Sequence, residues 1–182
     1  FDQPLAFTGG KMTIDSDRIF NGTPERYDWK LLGKREMYIP YNAYRMHAKT
    51  VKYADLVKPG HENPDYIRYE LHRVWVLEAT LKKGFRHVYG KRTLFIDEDT
   101  WHTVMGDYYD TRGQLWQWGF IGYYYAFDAQ IFNAGSSFYH DLNSGGYIAY
   151  NLFQEQPKGP ILNKGDMTPS MFTPEAARQA GN

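Results

Sequence analysis

The sequence contains no cysteine, which excludes disulfide bridges, thiolate nucleophiles and cysteine-ligated metal centres. It also has no apolar run approaching the roughly 20 residues that a transmembrane helix needs. An excess of charge of one sign is absent too, because 21 Lys and Arg residues balance 21 Asp and Glu residues. Net charge therefore gives the chain no general attraction for nucleic acid or for an anionic membrane.

Sequence motifs of enzyme active sites are also missing. There is no nucleophile elbow, no phosphate-binding loop of the Walker A type and no paired-histidine zinc motif. In the strand register assumed below, His72 and His102 lie on either side of Phe95, about 9 to 10 Å apart, which is too far for one metal ion. The acids at 97–99 fail the EF-hand spacing and are typical of a turn. We therefore predict no catalytic residues, no cofactor and no metal site.

Aromatic side chains are abundant and make up 18% of the chain. Such rings provide large amphipathic surfaces that suit strands, interfaces and apolar pockets. A length of 182 residues suits one domain with a sizeable core. We predict a single domain over residues 1–182, with an irregular N-terminal segment at 1–28.

Strand-like runs alternate with turn signals over residues 69–127. Four runs of about ten to thirteen residues, separated by KKG, DEDT and TRGQ, predict a four-strand antiparallel meander. Runs longer than the usual five or so residues favour a strongly curved sheet or half-barrel. Further strands are predicted over 11–14, 29–41 and 146–153, and short helices over 50–57 and after Thr173. The predicted fold class is mainly β (α+β), with short helices.

Alternation with a period of two divides the side chains of the meander between two faces. With two-residue turns at 83–84 and 112–113 and a four-residue turn at 97–100, one face is rich in tryptophan. The predicted helices are too short to cover it, so we expect an apolar groove that binds a ligand. Its predicted lining residues are Trp75, Leu77, Leu94, Trp101, Met105, Trp118 and Phe120. The alternative is that this face is ordinary core, because an aromatic stripe usually indicates packing.

Arg92 is the polar residue on the tryptophan-rich face that we also assign to the ligand-binding set. In the assumed register it lies between Trp75 and Met105, with Asp107 diagonal to it. It could stack on Trp75 and pair with Asp107 as a structural lock, or present its cation to the acidic head of a ligand. The lock is favoured because the sequence supplies both partners.

Several long strings carry a family resemblance. FNGTPERYDWKLLGKREMYIPYN, RYELHRVWVLEATLK, RHVYGKR, FIDEDTW and DYYDTRGQLW, within residues 20–118, closely resemble the C-terminal part of a Gram-negative bacterial family, domain of unknown function 1329. The resemblance implies that the chain is the C-terminal fragment of a longer periplasmic protein. It also implies a fold similar to that of periplasmic lipoprotein carriers, which have a curved antiparallel sheet and a helical lid.

The function implied by the resemblance is that of a non-enzymatic periplasmic carrier or accessory protein. Its ligand would be lipid-like or a lipoprotein acyl group, and it would be linked to an export system and associated with the outer membrane. The implied partners are a hydrophobic small molecule or lipid, an envelope exporter or outer-membrane protein, and the missing N-terminal half of its own chain. The alternative function is a protein–protein assembly module of an envelope transport complex without a small ligand.

Overall fold

The computed structural model describes residues 3–163, 165 and 167–181. Its main element is one seven-stranded antiparallel sheet in which the spatial order of the strands follows the sequence. The strands are β1 (Tyr27–Pro40), β2 (Tyr69–Leu81), β3 (Lys91–Asp97), β4 (Thr103–Tyr109), β5 (Leu115–Ala126), β6 (Ile131–Asp141) and β7 (Gly146–Tyr150). The mainly β class is therefore confirmed. No pairing of β1 with β7 closes the sheet in the described part of the chain.

Helical structure is short throughout the described residues. The two α-helices are α1 (Tyr53–Leu56) and α2 (Pro174–Ala180). Single 3-10 turns occur at Ala6–Thr8, Ile14–Ser16, Pro24–Arg26, Arg45–His47, Pro64–Tyr66 and Pro169–Phe172. The predicted N-cap of α2 is confirmed, because the Thr173 hydroxyl accepts a hydrogen bond from the Ala176 N–H. Among these residues no helix is both long and apolar enough to cross a membrane.

The predicted meander over residues 69–127 corresponds to β2 through β5, and the predicted strands before and after it correspond to β1 and β7. Two local predictions are wrong. Residues 11–14 form no strand, because Thr13 makes only an isolated bridge with Pro4. Strand β6 was missed because its Gly and Ser residues were interpreted as loop signals. Gly135 instead allows close packing, because a Cβ at this position would overlap the buried His47 ring.

The two faces of the sheet follow from the residues that lie opposite each other on neighbouring strands. Face A carries, from β2 to β6, Leu77, Leu94, Gly106, Gly119 and Tyr139. Face B carries, over the same strands, Val76, Phe95, Met105, Phe120 and Phe138. Each face is covered over part of its area by a largely irregular segment, and not by long helices.

The N-terminal segment, residues 4–26, covers the centre of face A. Met12 and Ile19 are buried against the sheet, and the Tyr108 hydroxyl donates to the Ile19 carbonyl oxygen at 2.9 Å. The Ile19 side chain stands directly over Gly106, where a Cβ would come within 2.5 Å of Ile19 Cγ2. Ile19 has a φ of 72°, a costly conformation for a β-branched residue. Packing and the hydrogen bond must therefore hold it there.

Arg92 fixes the same segment to the sheet. Its Nη2 donates to Asp15 Oδ2 at 2.6 Å, and both side chains are buried. Four rings surround the guanidinium at 5.0 to 5.6 Å, those of Phe20, Tyr27, Tyr89 and Tyr108. Burial alone would raise the Asp15 pKa, but hydrogen bonds from His87 and Arg92 and the Arg92 charge hold it well below its usual value. Arg92 is thus a lock, although the predicted partners Trp75 and Asp107 are wrong.

The connection between β1 and β2, residues 41–68, covers much of face B. Its side chains pack on Phe120 and Phe138, and the packed residues are Ala43, Met46, Val51, Leu56 and Ile67. Polar contacts support the same docking, because the Tyr147 hydroxyl on β7 accepts from the Lys58 N–H at 3.0 Å. This part of face B is therefore closed by the chain itself.

The assumed register is wrong at the β3–β4 connection. A four-residue turn at 97–100 would place Leu94 opposite Thr103, whereas Leu94 lies opposite Gly106. The shift is an odd number of residues, and such a shift moves every following side chain to the other face of the sheet. The predicted two-residue turn at 83–84 is wrong as well, because Leu81 N–H bonds to Gly90 O and a longer connection follows β2.

Candidate functional site

The predicted ligand-binding residues are divided between the two faces by this register. Trp75, Leu77, Arg92 and Leu94 belong to face A, whereas Met105, Trp118 and Phe120 belong to face B. Phe120 is completely buried beneath the β1–β2 connection, and Met105 and Trp118 pack beside it. Leu94 and Arg92 are buried beneath the N-terminal segment. The predicted single wall is therefore wrong, and three of its members remain at an open surface.

These three, Trp75, Leu77 and Trp101, join Leu31 and Ile96 around an open depression of about 270 Å³ on face A. We call these five residues the aromatic patch. The N-terminal segment does not cover these residues, and Leu31 and Trp101 are 59% and 72% exposed. Isolated apolar residues are common on protein surfaces, whereas these five form a contiguous apolar set.

Trp101 has a backbone conformation that is unusual for a large side chain, with a φ of 60°. The β3–β4 turn imposes it: Trp101 N–H donates to the Asp97 carbonyl oxygen at 2.9 Å, and Thr100 N–H donates to Asp97 Oδ2 at 3.0 Å. The indole then lies 6.5 Å from the Trp75 ring at an interplanar angle of 24°. A strained backbone that holds an exposed aromatic ring in place favours a functional role for that ring.

Charged residues form the rim of the aromatic patch. Lys34 Nζ lies 4.4 Å from the centre of the Trp75 ring and 2.6 Å from Glu98 Oε2. Arg73 Nε donates to Glu98 Oε1 at 2.7 Å. The hydrogen bonds from Lys34 and Arg73 lower the Glu98 pKa. Two cations therefore share one carboxylate, so the rim keeps a net positive charge, whereas the patch itself offers apolar contact.

On face B, behind the same turn, His72 lies among acidic groups. Its Nδ1 is 2.9 Å from Asp97 Oδ1 and 3.7 Å from Asp99 Oδ2, and its Nε2 is 3.9 Å from Glu70 Oε2. The centre of the Tyr41 ring lies 4.1 Å from that of the imidazole, at an interplanar angle of 37°. Burial, followed by the charges of the three acids, raises the Tyr41 pKa to about 12. The sequence alone does not reveal this cluster, because His72 and Asp97 lie 25 positions apart and meet only through strand pairing.

Two further buried histidines hold the β1–β2 connection. His47 Nδ1 lies 2.6 Å from the Ala43 carbonyl oxygen, and its Nε2 accepts from the Ser136 N–H at 2.8 Å. Burial lowers the His47 pKa to about 4, so the ring is neutral near pH 7. His140 stacks between Trp118 and Tyr147 at 4.7 and 5.0 Å. Both rings act in packing.

Comparison of the sequence with protein families gives a match over nearly the whole chain. The family described as protein of unknown function (DUF1329) matches residues 1–178. The chain belongs to the DUF1329 family. The match includes the N-terminal segment and the strands after Trp118, which lie outside the strings quoted above.

A curated relative of this DUF1329 chain is an uncharacterized protein of Pseudomonas aeruginosa. The two are 44% identical over 181 residues, an alignment that covers 100% of this chain and 40% of the relative. The chain therefore spans less than half the length of the relative that it matches.

Two crystal structures are similar to the DUF1329 chain at low identity. One is a domain from Vibrio parahaemolyticus, provisionally described as an outer membrane lipoprotein-sorting protein domain (14% identity, 71% of this chain, 41% of that chain, TM-score 0.44). The other is a DUF1329 family protein from Desulfovibrio piger (17% identity, 84% of this chain, 47% of that chain, TM-score 0.45). Both TM-scores are below 0.5, so neither likeness supports a conclusion about this chain.

Proposed function

We propose that the chain is the ligand-binding part of a non-enzymatic carrier or accessory protein of the bacterial periplasm, and that the aromatic patch contacts a lipid-like ligand. The observation that carries the proposal is the open depression formed by Leu31, Trp75, Leu77, Ile96 and Trp101. Its lining is apolar, four of its residues lie on paired strands and Trp101 is held by the β3–β4 turn, as expected of a preformed site for an apolar ligand.

The proposal also includes a strongly curved, half-barrel-like sheet. Two contacts support such curvature: the Tyr44 hydroxyl, shortly after β1, donates to the Tyr125 carbonyl oxygen on β5 at 3.0 Å, and the Tyr41 ring lies 5.2 Å from that of Phe132 on β6. A link to an envelope exporter or to an outer-membrane protein belongs to the same proposal. The buried residues Met105, Trp118 and Phe120 and the lock Arg92 are not assigned to the ligand.

The test is a titration of the chain with undecanoic acid that carries a dansyl group. Binding is measured by energy transfer from tryptophan to the dansyl group. We expect saturable binding to the 182-residue chain and at least tenfold weaker binding to Trp101→Asn, a loss of about 1.4 kcal/mol. Asparagine tolerates the left-handed conformation at this position, so the turn should keep its shape.

Phe127→Asn is the matched control, because Phe127 is 74% exposed and lies outside the aromatic patch. It should bind the probe as tightly as the unchanged chain does. Equal affinities for Trp101→Asn and for the unchanged chain would reject the patch as the ligand site.

The second candidate function is an assembly module, and the edge of the sheet favours it. β1 is 14 residues long and pairs with β2 on one side only in the described part of the chain. Leu32 and Tyr38 on this strand are 49% and 66% exposed. A long edge strand with exposed apolar residues is a template for pairing with another strand. Self-association in sedimentation, lost when Tyr38→Lys places a charge on this edge strand and unaccompanied by probe binding, would favour this function.

A further inference from the structure

We propose that His72, Asp97 and Asp99 form a binding site for a divalent metal ion of the zinc type. The site lies on face B, behind the turn that holds Trp101, and it does not depend on the proposed function of the aromatic patch. One imidazole nitrogen and two carboxylate oxygens are a ligand set that suits zinc better than calcium, which prefers oxygen ligands alone.

Two of the three distances between the candidate ligand atoms are close to those around a small ion. One ligand atom from each of the three residues lies within 4.8 Å of the other two. His72 Nδ1 is 2.9 Å from Asp97 Oδ1 and 3.7 Å from Asp99 Oδ2. Tetrahedral zinc with bonds of about 2.0 to 2.1 Å sets its ligand atoms about 3.3 Å apart. Each of the two distances therefore needs an adjustment of only about 0.4 Å.

Neighbouring groups orient the candidate ligands. Thr100 donates to Asp97 Oδ2 from its N–H at 3.0 Å and from its hydroxyl at 2.7 Å. These bonds direct the other oxygen of Asp97 toward His72. On the far side of the imidazole, Nε2 lies 3.9 Å from Glu70 Oε2. That distance exceeds a hydrogen bond, so only the bonds from Thr100 to the second oxygen of Asp97 are of the kind regularly found around metal sites.

A buried carboxylate also points to a cation. The Asp97 side chain is fully buried, and its hydrogen-bonding partners among the described residues are Thr100, which is neutral, and His72, which carries a positive charge only when its imidazole is protonated. The nearby bases Lys34 and Arg73 pair with Glu98 instead. Buried carboxylates are normally paired with a cation or bound to a metal. A divalent ion between His72 and the two aspartates would supply that charge.

Access to the site is open through Asp99, whose side chain is 70% exposed. A bound ion would have three protein ligands and a fourth position that solvent can reach. Asp99 is also the best residue to change, because an exposed side chain contributes little to folding.

The experiment is calorimetric titration of the metal-stripped 182-residue chain with zinc chloride and, separately, with calcium chloride. We expect one zinc ion per chain, bound at least tenfold more tightly than calcium. Asp99→Asn should weaken zinc binding at least tenfold without changing the melting temperature of the metal-free chain. His72→Gln should abolish one-to-one binding.

Asp128→Asn and His61→Gln are the controls, because both residues are exposed and lie outside the cluster. Both variants should bind zinc like the unchanged chain. The proposal is overturned if zinc binding is not saturable at one ion per chain, if Asp99→Asn binds as tightly as the unchanged chain, or if His61→Gln loses the site.

Discussion

Burial controls the charge of His47, the residue through which the β1–β2 connection contacts β6. Its two nitrogens bond to the Ala43 carbonyl oxygen and to the Ser136 N–H, an arrangement that requires a neutral ring. The ring also stacks on Phe153 at 5.2 Å. A positive charge here would lose hydration and would face the Ser136 N–H.

The His47 pKa of about 4 in the folded chain predicts a loss of stability in mild acid. Histidine in the unfolded chain has a pKa near 6.5, so between about pH 6.5 and pH 4 the unfolded state binds the additional proton. This contribution is complete above pH 6.5, falls as the pH falls toward 4, and amounts to about 3 kcal/mol. Urea unfolding at a series of pH values measures it.

Substitution of His47 tests whether this residue causes the pH dependence of the free energy of unfolding. His47→Gln keeps one donor and one acceptor, and we expect it to flatten the dependence between pH 4 and 6.5. The exposed His61→Gln should leave it unchanged. The Asp15 contribution is separate, because a lowered folded pKa removes stability only below about pH 4, where aspartate protonates in the unfolded chain. An unaltered slope in His47→Gln would contradict the prediction.

The N-terminal segment behaves as an element of the core although it contains only 3-10 turns and one isolated bridge. Its attachment depends on shape and on charge. The Ile19 side chain fills the space that Gly106 leaves open, and Asp15 neutralises Arg92 in a ring of aromatic side chains. The segment therefore completes face A, and the aromatic patch begins where its cover stops.

We expect Gly106→Ala to destabilise the chain by about 1 to 3 kcal/mol, because the added methyl group overlaps Ile19. Ile19→Ala should cost about 2 to 5 kcal/mol through the lost packing. The double variant should cost at least about 1 kcal/mol less than the sum of the two, because the smaller side chain removes the overlap.

The measurement is urea unfolding of the unchanged chain, the two single variants and the double variant, which together form a double-mutant cycle. Gly159→Ala is the control, because the nearest atom to an added Cβ there is 4.0 Å away. It should change the free energy of unfolding by less than about 0.5 kcal/mol. Strict additivity of Gly106→Ala and Ile19→Ala would contradict the proposed contact.

At the scale of the whole molecule, the strands of one sheet contribute residues to two hydrophobic clusters. The larger cluster includes residues of the N-terminal segment, and the smaller cluster includes residues of the β1–β2 connection. Met105 packs against both. Because the same strands support both clusters, we expect them to unfold together in one cooperative transition.

Leu56→Ala tests this coupling. Leu56 is fully buried beneath the connection, so its truncation should cost about 2 to 5 kcal/mol. Circular dichroism of the sheet and near-ultraviolet signals of the aromatic residues should shift to the same lower urea midpoint. Leu142→Ala, at a position 47% exposed, should shift neither by much. Two separate midpoints in Leu56→Ala would show that the clusters unfold independently.

Local chemistry determined much of the fold from sequence alone. Strand β2 has the predicted bounds, 69–81, because period-two alternation and the turn residues around it depend on neighbours along the chain. The acids at 97–99 form the predicted turn, since Asp97 bonds to the backbone of Thr100. Met105 lies opposite Phe120, as the assumed register predicts, although the β4–β5 turn spans 111–113 and a bulge between Tyr108 and Tyr109 restores that register.

Tertiary structure decided the composition of the candidate site. The odd shift at the β3–β4 connection moved Met105, Trp118 and Phe120 to face B, because the alternation of side chains is the same for either register and only packing selects one. The contacts of Arg92 with Asp15 and of His72 with Asp97 join residues 77 and 25 positions apart. Periodicity along the chain carries no information on such pairs. The sequence therefore determined most of the strands, whereas packing determined their registers, which aromatic residues stay open and which acids surround His72.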